Sequence, residues 1–170
     1  SGRQCTHPQM AAHNRGPSNS QHEHKEIPMA LFSLPEQTKI VDATAGPVTT
    51  NGGVTADYVS VKNAGRLYIV CNLTQAVGHA TALTPKRAQA VAGTGVAALG
   101  TAVRIWANED TATSDTLVAQ TAATSYTVGT GVKKMQVIFE IDLHALGNTY
   151  DVVGLAVADS SQATNFVCAN

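Results

Sequence analysis

The sequence predicts an all-β protein: an antiparallel β-sandwich of jelly-roll type, with one or two short helical turns and an extended N-terminal arm. Three observations predict this fold class. Beyond residue 28 the apolar residues recur at every second position, hydrophobic runs alternate with turns rich in Gly, Thr, Asn and Asp, and a polar tail precedes them. A spacing of two is what a strand with one buried face requires.

The N-terminal tail, residues 1–28, holds four of the six histidines and few bulky apolar side chains. Such a segment cannot offset its ordering entropy by burial. Met29 opens a sequence that resembles a natural start, so residues 1–28 are either a disordered tail or a segment foreign to the natural protein. We expect an arm over residues 1–35 and a sandwich domain over residues 36–170. The apolar side chains at the end of the arm are candidate contacts with a partner: Met29, Leu31, Phe32 and Leu34.

Four segments give the clearest strands: DYVSVK, GRLYIVCNLTQ, TAVRIWAN and KMQVIFEID. One face of each is predicted to be buried, and the predicted core comprises Val59, Val61, Leu67, Ile69, Cys71, Val103, Ile105, Val137, Phe139 and Ile141. Trp106 falls on the opposite face of its strand from Ile105, where it either contacts a partner or joins a second core layer. Further strands are expected at 38–44, 79–84, 116–120, 124–129, 151–158 and 164–169.

Two short helical turns are expected between these strands. Thr84 offers a capping hydroxyl before Pro85 at a first helical position, and KRAQAV follows. Asp142 can cap the sequence LHAL, which Gly147 would end.

For every candidate chemical motif, a structural interpretation is favoured over a functional one. The glycine-rich segment 92–100 lacks the Lys-Ser/Thr ending of a phosphate-binding loop, so a plain connection is favoured. Asp142 lies near His144, but no nucleophile can be paired with them. Glu140 and Asp142 share a strand face, where outward acids are normally solvated. His79 is expected to be a surface or hydrogen-bonded histidine.

A metal site in the tail is also disfavoured. His22, His24 and Glu26 could touch a metal, but alternating histidines in a flexible arm are usually solvated. We therefore assign no catalytic, cofactor-binding or metal-binding residue, expect no cofactor and no small-molecule substrate, and expect that the protein is not an enzyme.

Charge and cysteine content narrow the partners further. The net charge is −1 and charged residues make up 14% of the chain, against roughly 25% in average proteins. This argues against nucleic acid, because binding phosphates needs clustered Lys and Arg. No apolar run approaches the length of a membrane span. Cys5, Cys71 and Cys168 form no paired motif, so reduced thiols are expected.

The body of the chain resembles small structural proteins of tailed bacteriophages. The similar segments run in order from LPEQTKIVDATA through TADYVSVKNAGRLYIVCNLTQ and ALTPKRAQAVAGTGVAALGTAVRIWANEDTATSDTLVAQ to VIFEIDLHAL and YDVVGLAVADSSQATNFV. Together they cover residues 29–169. The tail has no counterpart in that family, and such proteins continue past the last residues through a final strand, so one sheet edge is expected to stay open or to be completed by a neighbour.

The resemblance implies a virion protein that decorates the phage head or serves as a minor head protein. Its implied partners are the major capsid protein and further copies of itself, and its implied location is the head surface after assembly in the host cytoplasm. Low charge and an arm suit repeated lattice contacts. The alternative is a receptor- or glycan-binding domain of a tail fibre or spike, which can use the same sandwich.

Overall fold

The computed structural model describes residues 34–170, apart from the side chains of residues 35 and 36. The chain divides into two units, residues 1–37 and residues 38–170. In the first unit the described part is a short helix, α1 (Leu34–Gln37). Leu34 therefore begins a helical turn, and its side chain is exposed. Met29, Leu31 and Phe32 lie outside the described residues, as does most of the predicted arm.

The second unit contains two antiparallel sheets. The larger, sheet A, has six strands, and the long alternating segments of the sequence form its centre. From one edge to the other these are β1 (Val48–Thr49), β12 (Phe166–Ala169), β4 (Arg66–Thr74), β10 (Lys134–Asp142), β7 (Val103–Asn108) and β8 (Val118–Ala123).

The second sheet, sheet B, is organised around two strands that pair with each other, β11 (Val152–Val157) and β5 (Ala82–Ala88). Two-residue strands flank them. β2 (Val54–Thr55) and β3 (Val59–Ser60) pair with β11, while β6 (Ala97–Ala98) and β9 (Tyr126–Thr127) pair with β5.

The two sheets pack face to face around one hydrophobic core, which confirms the predicted antiparallel sandwich. Side chains of both sheets share this core, for example Phe139 and Ile105 from sheet A and Leu83 and Leu155 from sheet B. Most connections carry the chain from one sheet to the other, and only β2–β3, β5–β6 and β7–β8 stay within a sheet. Such crossing is what a jelly-roll-like arrangement requires.

The predicted core is confirmed at eight of its ten positions, which are buried. Val59 and Leu67 are only half-buried. Val59 lies in a two-residue strand at the edge of sheet B. Leu67 is the second residue of β4, near the end of the strand, where the side chains are not yet fully buried. The alternating pattern therefore identified the correct face of each long strand but not how far the core extends.

The helical turn expected after Thr84 is wrong, because this segment is strand β5. Pro85 is buried and lies opposite Leu155 of β11. On the other side of β5, β9 pairs with Ala82 and Leu83 and β6 pairs with residues 86 and 87. Pro85 falls in the gap between those two short partners, where a missing N–H costs the sheet nothing.

The strand expected at 38–44 is also wrong. The N–H groups of Ala43 and Thr44 both donate to the carbonyl oxygen of Ala169, at 2.9 and 3.2 Å. Two donors on one acceptor are not a strand ladder, so this segment lies irregularly beside the end of β12. β12 itself pairs with β1 on one side and β4 on the other, so within the described chain it is not an open edge.

The second helical turn is confirmed. Leu143–Leu146 form a short 3-10 helix, and Asp142 Oδ1 accepts a hydrogen bond from the His144 N–H at 3.0 Å. Gly147 follows with φ of 89°, a value that favours glycine. Asp142 thus acts as a cap, as the sequence predicts.

A carboxylate also fixes the turn between β1 and β2. Gly52 occupies φ of 82°, and its N–H donates to Asp159 Oδ1 at 2.7 Å. The Ser161 N–H donates to the same oxygen at 2.6 Å. These bonds favour the charged form, so the backbone N–H groups of Ser161 and Gly52 hold the pKa of Asp159 below its ordinary value.

Candidate functional site

The face of sheet A that points away from the core carries the most distinctive group of exposed side chains. We call it the outer face. Successive side chains alternate between the two sides of a strand, so on β4 the buried Ile69 and Cys71 leave Tyr68, Val70 and Asn72 on the outer face. β10 and β7 alternate in the same way, and their registers align the outward side chains into rows.

The middle row is apolar and crosses four strands. Val70 lies opposite Ile138, Ile138 opposite Trp106, and Trp106 opposite Ala119. The first three are half-buried and Ala119 is exposed. We call these four residues the apolar row. Trp106, the candidate contact on the sandwich itself, therefore lies on the outer face rather than among the buried core residues.

One neighbouring row is ionic. Glu140 lies between Tyr68 and Arg104 in the register, and its side chain pairs with Arg66 at 2.8 Å and with Arg104 at 3.8 Å. A hydrogen bond with Tyr68 and then the charge of Glu140 raise the pKa of Arg66.

The expectation that Glu140 is a solvated acid is wrong, because only 8% of the residue is exposed. The cross-strand arginines supply the partners that allow a carboxylate to lie so close to the sheet. Asp142, by contrast, is exposed.

The row on the other side carries amides. Gln136 Nε2 donates to Asn72 Oδ1 across β10 and β4 at 3.0 Å. Next to them, the buried Asn108 donates from Nδ2 to the carbonyl oxygen of Ser114 and accepts from the Asp110 N–H. The apolar row is thus bordered by an ionic row and an amide row. A protein interface has the same organisation, an apolar centre with a polar rim.

The remaining candidates have structural roles. The backbone N–H and carbonyl of His79 both bond to the side chain of Gln75, and its ring Nδ1 lies 3.4 Å from Thr81 Oγ1, as expected of a hydrogen-bonded histidine. The glycine-rich segment 92–100 connects β5 to β6 and continues beyond it, and the Gln89 N–H closes its turn onto the carbonyl of Thr94 at 2.9 Å.

Tyr126 and Glu109 form a second hydrogen-bonded pair, away from the outer face. The phenol donates to Glu109 Oε1 at 2.8 Å, and the Gly129 N–H donates to the same oxygen at 3.2 Å. Burial first, and then the bond to Glu109, raise the pKa of Tyr126 to about 12. The phenol therefore stays protonated near neutral pH and fastens β9 to the end of β7.

The two cysteines of the sandwich are free thiols. Cys71 is fully buried, and burial, followed by the nearby charge of Cys168, raises its pKa to about 12. A protonated, buried thiol is a poor nucleophile. Cys168 is half-buried and lies opposite Asn72, on the outer face. Cys5 lies outside the described residues.

Over residues 34–170, no group of three or more His, Cys, Asp and Glu side chains is arranged to hold a metal ion. His22, His24 and Glu26 fall outside that range. Within the same range no helix has the length and apolar character needed to cross a membrane.

Sequence reasoning missed most of this face. The alternation separated Tyr68 and Val70 from the core, but it said nothing of which strands are neighbours. Only the register joins Ile138 to Trp106 and Glu140 to Arg104. The sequence did contain one signal: Arg66 and Arg104 each occupy an outward position of their strand. Two outward arginines could have suggested an acid that pairs with both, which is Glu140.

Comparison of the chain with protein-family models, with curated proteins and with solved structures yields no match.

Proposed function

We propose that this protein is a bacteriophage virion structural protein that binds the capsid surface as a head decoration or minor capsid protein. The observation that carries the proposal is the apolar row of Val70, Ile138, Trp106 and Ala119, which lies along the outer face between an ionic and an amide border. The resemblance of the sequence segments within residues 29–169 to those of phage head proteins is our reason to expect a capsid as the partner.

The composition of the outer face favours a protein partner. Trp, Tyr and Arg are the residues enriched among side chains that dominate binding energy at interfaces, and Trp106, Tyr68 and Arg104 lie together here. The arginines are more than half exposed, so their unused donors can reach acceptors on a partner.

The size of the outer face suits lattice binding better than a single strong contact. The outer face comprises β4 and β10 with nine residues each, β7 and β8 with six each, and β12 with four. At about 3.4 Å per residue and about 4.8 Å between strands, its area is roughly 550 Å². A stable interface buries about 800 Å² on each partner. One copy would thus bind weakly, and several linked copies on a repeating capsid would bind much more tightly. This is the reason to expect homo-oligomers on the particle.

The predicted arm adds a second route of attachment. Its end carries the apolar side chains of Met29, Leu31, Phe32 and Leu34, whose burial against a neighbouring subunit would strengthen attachment. We expect the arm to lie across a neighbouring subunit on the particle.

The test is the stoichiometry and position of the protein on purified phage particles. The proposal expects copurification at a fixed number of copies per capsid subunit, with antibody labelling spread over the head. Labelling confined to tail tips would support the receptor- or glycan-binding alternative, and absence from particles would contradict both.

A further inference from the structure

Strand β8 is the one long edge strand of the sandwich within the described chain. It is the last strand of sheet A and pairs only with β7 among the described residues. The opposite edge of sheet A is β1, which has two residues, and the edge strands of sheet B have two residues each. β8 has six residues, so it leaves the longest row of backbone groups available to another strand.

The residues of β8 include none of the types that usually prevent pairing with another strand. Residues 116–125 contain no charged residue and no proline. Proteins usually protect long edge strands with charged residues, lysine above all, and with proline. Val118, at the start of the strand, is 57% exposed. The edge is thus uncharged and partly apolar, and the Val118 carbonyl accepts a hydrogen bond from Gln120 Nε2 at 3.1 Å.

One irregularity limits where a partner strand can pair. Val103 lies opposite Ala123 and Ile105 opposite Gln120, so β8 advances three residues while β7 advances two. The extra residue places a bulge near positions 121 and 122. The regular part of the edge is therefore Val118–Gln120, centred on Ala119.

We propose that two copies of this chain associate through β8, pairing antiparallel about a two-fold axis that passes beside Ala119. Val118 of one copy then lies opposite Gln120 of the other, and the two Ala119 residues face each other. An uncharged backbone edge is complementary to itself in this arrangement, because each strand supplies both donors and acceptors.

The register has a consequence for the outer face. Ala119 is the end of the apolar row, so joining two copies there places Trp106 and Ile138 of both copies on one continuous apolar row. The axis is perpendicular to the joined sheet, which keeps both outer faces on the same side. The pair doubles the area available to the capsid. This role of the dimer rests on the proposed function, whereas the pairing itself does not.

The pairing is tested by sedimentation equilibrium of the full chain free in solution. We expect a reversible dimer, and we expect Val118→Lys and Gln120→Lys each to raise its dissociation constant at least tenfold with an unchanged melting temperature. Val91→Lys is the matched control, because Val91 is 61% exposed in the turn after β5, and it should leave the dimer intact.

A second variant reports the register. Ala119→Cys, in a chain with Cys5 and Cys168 changed to serine, should form an intermolecular disulfide under mild oxidation, since opposed residues place their Cβ atoms about 5 Å apart. Val91→Cys in the same background should not.

Three results would overturn the pairing: a monomeric full chain, a dimer that both lysine variants leave unchanged, or a dimer lost only when residues 1–33 are deleted. The last result would show that the arm, and not β8, forms the contact between the two copies. Particle binding is scored separately. A monomer that still decorates heads overturns the pairing alone, and a β8 dimer that binds no particle contradicts the proposed function alone.

Discussion

Strand β10 shows the two faces of sheet A within one run of residues. Val137 and Phe139 point into the sandwich and are fully buried, whereas Ile138 between them and the preceding Gln136 lie half-buried on the outer face. Both faces carry apolar side chains, but sheet B covers only one of them. The comparison teaches that apolar character alone does not mark the core. An apolar row with polar borders, over which residues 34–170 place no second sheet, is the feature that points to a partner.

The largest contrast between the two faces is expected in stability. Phe139→Ala should lower the free energy of unfolding by about 3–5 kcal/mol, because it opens a cavity in the packed core. Ile138→Ala, one residue away, should cost only about 1 kcal/mol, since part of that side chain already meets solvent and sheet B does not pack over it. Urea unfolding of both variants measures the difference. Equal costs would mean that the outer face is covered in the free protein.

A smaller effect is expected from the ionic row. Glu140→Gln should lower the free energy of unfolding by about 1 kcal/mol, because the side chain loses its charge-assisted bond to Arg66 and its ion pair with Arg104. The loss should shrink in high salt. Asp57→Asn, an exposed acid, serves as control and should change little. If the two variants behave alike, Glu140 is as solvated as its place on an outward face first suggested.

The smallest effect is a pH dependence at the turn held by Asp159. Its pKa is lowered in the folded state, so the unfolded chain binds the proton more readily. The stabilisation is present above the ordinary value of 3.8 and is lost as the pH falls through the lowered value. The melting temperature of the wild type should therefore drop more between pH 5 and pH 2.5 than that of Asp159→Asn. Parallel curves would contradict this role.

The sequence predicted the long strands well because β4, β7 and β10 each alternate over six residues or more. Two-residue strands such as β1, β2 and β6 are too short to show any period. Thr84-Pro85 has the pattern of a helix start, and only the gap between β6 and β9 explains why the chain continues as a strand.

The candidate site was predictable only in part, for a related reason. Trp106 could be placed on an outward face from its own strand. Its neighbours Ile138 and Ala119 come from strands that are distant in sequence, and the register between strands is set by packing and by bulges that no single segment records. The pairing of Glu140 with Arg66 was hidden for the same reason.

The most direct measurement is the affinity of the purified protein for particles that lack it, compared between wild type and Trp106→Ala. We expect the substitution to weaken binding about thirtyfold, the typical effect of removing a dominant interface side chain, with little change in melting temperature. Tyr150→Ala removes an aromatic ring that packs over Arg87 of sheet B, and it should leave particle binding intact. Undiminished binding by a folded Trp106→Ala variant would contradict the assignment of the outer face as the surface that meets the capsid.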